Sequence, residues 1–161
     1  MREITYIKQQ LMDDMLTAAR AAPRRRKNHN FHDDFAHPCQ RLINAVLPEA
    51  YIQPHRHLDP RKEEMLIILR GRFGMVFFDD AGRVTQTALL DLGGDILAVN
   101  IPTGIYHTGV ALGDGAVIFE AKAGPYAPHS VAEAAPFAPV EGATGAPEYL
   151  AKLKALFGAP A

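Results

Sequence analysis

Residues 7–22 set Ile7, Leu11, Met15, Leu16 and Ala19 at the three- and four-residue spacing of one helical stripe, and Pro23 ends the pattern. Beyond it the period shortens. Two apolar segments within residues 40–70 flank a histidine-bearing loop, and segments 73–78 and 84–90 are joined by Asp79-Asp80-Ala81-Gly82, the turn chemistry of a hairpin. Segments 96–101, 108–112 and 116–122 read as further short strands. After Gly124-Pro125 the chain is rich in Ala and Pro as far as Pro147, which predicts an irregular arm. Pro147, Tyr149, Leu150, Leu153, Leu156 and Phe157 then describe a last amphipathic helix. Short strands joined by hairpin turns predict an all-β, double-sheet jelly-roll barrel carrying an N-terminal amphipathic helix and a short C-terminal helix.

Composition narrows the setting. The 161 residues are 48% hydrophobic and include 13 Gly and 12 Pro, which fits a single domain with a sound core. Its parts are a helix and basic segment (1–30), a barrel (31–126), and an arm with the last helix (127–161). The formal charge of −1 gives no electrostatic case for nucleic acid. The first thirty residues lack the apolar core of a signal peptide, and no run approaches a membrane span. Cys39 is the only cysteine, so no intramolecular disulfide forms, and a reducing cytoplasm is the expected home. Beside Pro38, and without a defined base, Cys39 reads as a packed small side chain rather than a nucleophile.

The chemistry gathers at His55-Arg56-His57. On a strand, residues two apart share a face with Cα atoms about 7 Å apart, so the two imidazoles converge on one point. The loop 58–62, with Pro60, breaks the strand before Glu63 and Glu64. Both carboxylates are candidates, because residues 65–69 are apolar on both faces and alternation does not choose between them. Gly93-Gly94 and Pro102-x-Gly104 bracket the apolar strand 96–101, which delivers His107 just past its end. Three imidazoles and a carboxylate suit divalent Fe, Zn, Mn, Ni or Cu, and leave coordination positions open for a ligand.

His-x-His, a polar loop, Glu, six residues and Gly71 resembles the first cupin motif, and Pro102-x-Gly104-x-x-His107 resembles the second. Counting back from Gly71 selects Glu64, so the resemblance implies His55, His57, Glu64 and His107 as metal ligands. Arg26-Lys27-Asn28-x-Asn30-x-His32, Gln40-Arg41-x-x-Asn44-Ala45, Phe78-Asp79-Asp80 and Phe119-Glu120-x-Lys122-x-Gly124-Pro125-Tyr126 resemble the WbuC family of cupin-fold metalloproteins. The resemblance runs from the first helix to Glu141. It weakens at residues 134–140, which lack the family's tryptophan, so the C-terminal wall of the pocket is expected to differ.

By the same resemblance Arg41, Asn44, Glu120, Lys122 and Tyr126 belong to the substrate pocket, with Asn28, Asn30 and His32 near it. The basic run 24–27 reads as a solvated face, or else as a receiver of an anionic ligand. Two functions follow. One is a metal-dependent enzyme acting on a small polar or anionic metabolite, for which the resemblance implies a sugar or sugar nucleotide of surface-polysaccharide metabolism. The other is a non-catalytic metal-containing module that binds or senses a small molecule. A homodimer is expected as well, since residues 65–69 leave one apolar face pointing away from the barrel.

Overall fold

The computed structural model describes residues 4–128 and 130–158. The helical stripe forms α1 (Gln9–Ala21). There follow β1 (Arg26–Asn30), β2 (Cys39–Val46), β3 (Glu64–Phe78), β4 (Val84–Asp91), β5 (Ala98–Ile101) and β6 (Tyr106–Ala123), and then α2 (Ala146–Ala155). The strands pair antiparallel in the order β1-β2-β6-β3-β4, with β5 on β3.

Two long strands make the barrel. β3 and β6 run together from the Glu64–Lys122 pair to the Phe78–Tyr106 pair, and their register shifts between Ile68 and Arg72. At that corner Gly71, Gly113 and Gly115 have φ of 74°, 61° and 118°, values that a side chain disfavours. Both strands bend there, and their halves face each other. Leu66, Ile68 and Ile118 of one layer therefore pack with Phe73, Met75, Phe77 and Ala111 of the other in one interior core. The jelly roll is thus as expected, but segments 108–112 and 116–122 are one bent strand, and His107 lies inside it. Gly113-Asp114-Gly115 looks like a turn that ends a strand, whereas the ladder with β3 carries the chain through.

The outer faces are covered from both ends of the chain. α1 buries Met12, Met15, Leu16 and Ala19 against Ile43, Ala45 and Val117. Its N-terminus has no side-chain cap and no acidic residue in the first turn, so packing supplies the stability that local signals do not. Arg70 of β3 pairs with Asp13 and donates to Gln9 Oε1 at 2.5 Å, tying the strand to α1. On the other layer Val76, Phe78 and Val110 are covered by Ala135, Ala138, Leu150 and Leu153 of the arm and α2. The β3–β4 turn is the expected hairpin, closed by the Ala81 and Arg83 N–H groups donating to Asp79 Oδ1 at 3.0 and 2.9 Å. No helix among the described residues is long and apolar enough to cross a membrane.

The basic run is in part the expected solvated face: Arg24 and Arg25 lie in a turn and Lys27 is exposed, whereas Arg26 is half-buried in the sheet. Arg26 opens β1, paired with Val46, and the Arg24 and Arg26 guanidinium groups both donate to Glu141 Oε2, at 2.5 and 2.9 Å. Cys39 also departs from expectation: at the outer end of β2 its side chain is exposed, not packed.

Burial opposes ionisation of Glu141, yet the hydrogen bonds and charges of Arg24 and Arg26 outweigh it and hold the carboxyl below its usual range. A carboxyl lowered on folding stabilises above its unfolded pKa of 4.5 and loses that contribution as pH falls through the folded value. Glu141→Gln is expected to cost about 1–2 kcal/mol at pH 7, allowing for solvent screening of a partly exposed pair. The deficit should shrink as pH falls below 4.5 and vanish once the pH lies below the lowered folded value, where Glu141 is itself protonated. Urea denaturation of both proteins at pH 7 and pH 4 measures it, and an equal deficit at the two values would contradict the ion-pair account.

Candidate metal centre

Residues 51–57 run extended across the start of β6 without forming a regular strand. The His55 N–H donates to the His107 carbonyl at 3.0 Å, and the His107 N–H donates to the His55 carbonyl at 2.8 Å. The Gly104 N–H reaches the His57 carbonyl at 2.8 Å, and Thr108 Oγ1 donates to the Ile52 carbonyl at 2.6 Å. These four bonds fix the segment. Alternation persists within it: Arg56 points away from its histidine neighbours, lies 4.3 Å over the Tyr106 ring and donates to Asp80 at 3.0 Å.

Glu64 is the first residue of β3, between Lys122 on β6 and Ile101 on β5. It is 4% exposed. Glu63 is turned outward, where Asn100 Nδ2 lies 3.4 Å away. Glu64, and not Glu63, therefore joins the three histidines. One donor atom from each of His55, His57, Glu64 and His107 lies within 4.8 Å of all the others.

The donor set fits a divalent ion. His107 Nδ1 donates to the Ile105 carbonyl at 2.9 Å and His55 Nδ1 to the Gln53 carbonyl at 3.0 Å, which leaves each Nε2 lone pair for the centre. Opposite ligands of an ion with bonds of about 2.1 Å stand about 4.2 Å apart, so the cluster needs to close by only about half an ångström. At present Glu64 Oε2 is 3.1 Å from His107 Nε2 and 3.5 Å from His57 Nε2. Burial resists ionisation of Glu64, but the neighbouring His107 and His57 rings and the Lys122 ammonium hold the carboxyl well below its usual range. The carboxylate is ready to bind a cation.

Behind Glu64 lies a second polar group. Lys122 Nζ is 3.2 Å from Glu64 Oε1 and 2.6 Å from Glu120 Oε1, and Asn44 Nδ2 donates to Glu120 Oε2 at 2.7 Å. Burial, then the Glu64 charge, pushes the Glu120 carboxyl up to about 7 against the pull of Lys122. Burial works against the ammonium, yet the two carboxylates raise the Lys122 pKa. The period of two thus aims Glu120 and Lys122 inward, as expected for the pocket.

His55, Glu64 and His107 share a cavity of about 390 Å³ with Asn44, Glu120, Lys122 and Tyr126. Tyr126 stands half-exposed at its mouth, its ring 5.0 Å from that of Phe35. Arg41 does not join them. Gln40, Leu42 and Asn44 line the cavity, so the odd-numbered positions of β2 face the opposite side, where the Arg41 guanidinium donates to the Phe31 carbonyl at 3.3 Å. The sequence reading underrated β1, whose Arg26, Asn28 and Asn30 line the cavity together with His32. Their signal was present as a period of two, hidden by the charge of the run. Residues 134–140 contribute none of the lining; Phe137 instead packs outside, 5.4 Å from the rings of both Phe78 and Tyr106.

Solved structures share this architecture. An oxalate oxidase in complex with the substrate analogue glycolate is 15% identical, with a TM-score of 0.51 over 66% of this chain and 54% of that one. A Shewanella oneidensis protein from structural genomics is 14% identical, with a TM-score of 0.51 over 62% of this chain and 68% of that one. KdgF from Halomonas sp. is 16% identical, with a TM-score of 0.47 over 61% of this chain and 77% of that one. At such identities the likeness concerns the fold alone, a jelly-roll barrel. The chain spans about half the length of the oxalate oxidase. No curated protein matches the sequence. Residues 7–90, more than half of the chain, match the family model described as "Domain of unknown function (DUF6016)", and the protein belongs to that family.

Proposed function

We propose that this protein is a metal-dependent cupin enzyme acting on a small polar metabolite held in the barrel cavity. One observation carries the reading: three of the four candidate ligands, His55, Glu64 and His107, line a cavity, so the cluster opens onto it rather than forming a closed cage. A structural site is closed, whereas a catalytic one keeps a position open towards its ligand. A divalent ion held by His55, His57, Glu64 and His107 supplies Lewis acidity or a bound hydroxide. Lys122 and Asn44 orient the carboxylates, and Tyr126 flanks the entrance. The motif resemblance narrows the affiliation to WbuC-like proteins and the substrate to sugars or sugar nucleotides. An exposed Cys39 thiol suits the reducing cytoplasm.

The test is reconstitution of the full chain with each candidate metal, followed by oxygen-uptake and sugar-nucleotide turnover assays. Turnover that disappears on chelation and in His107→Ala supports the enzyme. Stoichiometric metal without turnover in any assay would favour the binding or sensing module.

We also propose a homodimer. α1 covers only part of the outer sheet face, and Met65 and Leu97 remain exposed beside the half-buried Ile67 and Phe119. Ile4, Tyr6 and Ile7, just before α1, are exposed as well. Two-fold pairing hides the same apolar strip on both copies. Light scattering at micromolar concentration is expected to give twice the 17.6 kDa of one chain. A constant single-chain mass on concentration would exclude the pairing.

A further inference from the structure

β1 is an edge strand whose alternate residues Lys27 and His29 face solvent. Its other positions, Arg26, Asn28 and Asn30, line the cavity, and His32 continues the row. Asn44 stands opposite Asn28 in the β1–β2 register and extends it. A polar stripe on an edge strand is ordinarily hydrated on the outside. Here Asn30 and His32 are drawn in towards the cavity, while Asn28 at its rim stays in contact with solvent.

His32 is only 7% exposed. His32 Nδ1 lies 3.1 Å from both the Arg41 N–H and the Arg41 carbonyl, which also accepts the Phe31 N–H at 2.8 Å, so the main chain accommodates either tautomer. A neutral imidazole that accepts at Nδ1 carries its proton on Nε2, and one that donates there leaves Nε2 an acceptor. His32 Nε2 is buried and has no hydrogen-bond partner among the described residues. Buried polar atoms are rarely left so, and a hydroxyl in the cavity would satisfy this one in either tautomer.

The remaining groups of the row define what that group belongs to. Asn28 Nδ2 donates to Asn30 Oδ1 at 2.8 Å, and whichever way the two amides are turned, the pair keeps both N–H donors and oxygen lone pairs for a ligand. Asn44 spends a donor on Glu120 and retains its carbonyl oxygen. Donors and acceptors alternating along one wall match hydroxyl groups, which do both; an anion would call for donors throughout. The cations are already engaged, Arg26 by Glu141 and the Tyr51 carbonyl and Lys122 by Glu64 and Glu120. Leu66, Phe73, Met75 and Ile118 supply an apolar part of the lining.

We infer that the cavity binds an uncharged polyhydroxylated molecule, a neutral sugar or cyclitol, through His32 and the asparagines of β1 and β2, with its C–H faces on the apolar lining. The inference rests on the reading that a small molecule occupies the cavity beside the metal centre, and it replaces an anionic ligand with a neutral one. The cavity volume lies within the range of about 300–1,000 Å³ usual for such ligands.

The test is calorimetry and ligand-observed NMR on the metal-loaded full chain, with a panel of neutral monosaccharides, myo-inositol and the matching uronic acids. At least one neutral member is expected to bind at millimolar concentration or below, and at least ten-fold tighter than its acid. His32→Asn keeps a polar group beside the Arg41 main chain and removes the Nε2 atom; it should weaken binding at least ten-fold with metal content unchanged. Asn30→Ala, at a half-buried edge position, is the second route should His32→Asn fold poorly. Tighter binding of the acids, no binding anywhere in the panel, or wild-type affinity in both variants would overturn the inference. His107→Ala separates the two readings: neutral-sugar binding that survives metal loss upholds this site while the metal-dependent function fails. A metal-loaded protein that ignores the whole panel does the opposite.

Discussion

Alanine at His107 is expected to strip the protein of its metal, lowering the content found by elemental analysis from about one ion per chain to less than a tenth. The residue is both a candidate ligand and an anchor. Its Nε2 faces Glu64, and its main chain makes the two-way bridge that holds His55 in place. Removing a mere supporting partner of a metal ligand typically costs 10–100-fold in affinity, and an imidazole ligand itself should cost more. His55→Ala and His57→Ala should follow, with Glu64→Ala milder because neutral imidazoles anchor borderline ions better than a carboxylate does. Glu63→Ala is the control, since that side chain points away from the cluster. Full retention of metal in the three histidine variants would sink the site, and loss in Glu63→Ala but not in Glu64→Ala would move the carboxylate ligand by one residue.

Gly71→Ala should be among the most damaging small substitutions in the barrel, costing at least about 3 kcal/mol in urea denaturation. A Cβ at position 71 would sit 2.2 Å from the Gly115 carbonyl oxygen and 3.1 Å from the Ala116 Cα, at a φ of 74° that L residues avoid. Neither obstacle is a side chain that could swing aside; both belong to the corner where β3 and β6 bend together. Gly104, the glycine of the second motif, also has positive φ, of 85°, but nothing lies within 4 Å of its would-be Cβ. Gly104→Ala should therefore cost only about 1 kcal/mol, the conformational part alone. Two variants within error of each other would mean that the close approach at the corner is relieved by backbone movement.

The four candidate ligands were legible because turn chemistry and spacing, not packing, determine where they fall. Glu63 and Glu64 were indistinguishable by alternation, for residues 65–69 are apolar on both faces; the tertiary pairing of Glu64 with Lys122 and Ile101 decides the matter. Arg41 and Asn44 were grouped by analogy although three positions apart, an odd offset that a strand sends to opposite faces. The alternation of β1 was readable too, but its charges drew the eye to solvent. What no local pattern contains is Glu141, more than a hundred residues from Arg24 and Arg26, whose carboxylate draws the start of β1 to the arm. The unbroken course of β6 was equally hidden, since only the neighbouring β3 keeps Gly113-Asp114-Gly115 from ending it.

The strand order has a consequence for how the chain is built. β6 lies at the centre of the ladder, between β2 and β3, yet it comes last of the six strands. A chain that has emerged only as far as residue 90, the limit of the family match, carries three of the four candidate ligands, but its two inner strands lack their common neighbour. Such a fragment exposes unpaired edges and a half-built core, and long-range pairing of this kind is slow because distant segments must meet first. The barrel is therefore one cooperative unit that closes after synthesis has passed β6. A protein cut at residue 90 should be an aggregation-prone chain rather than a smaller domain.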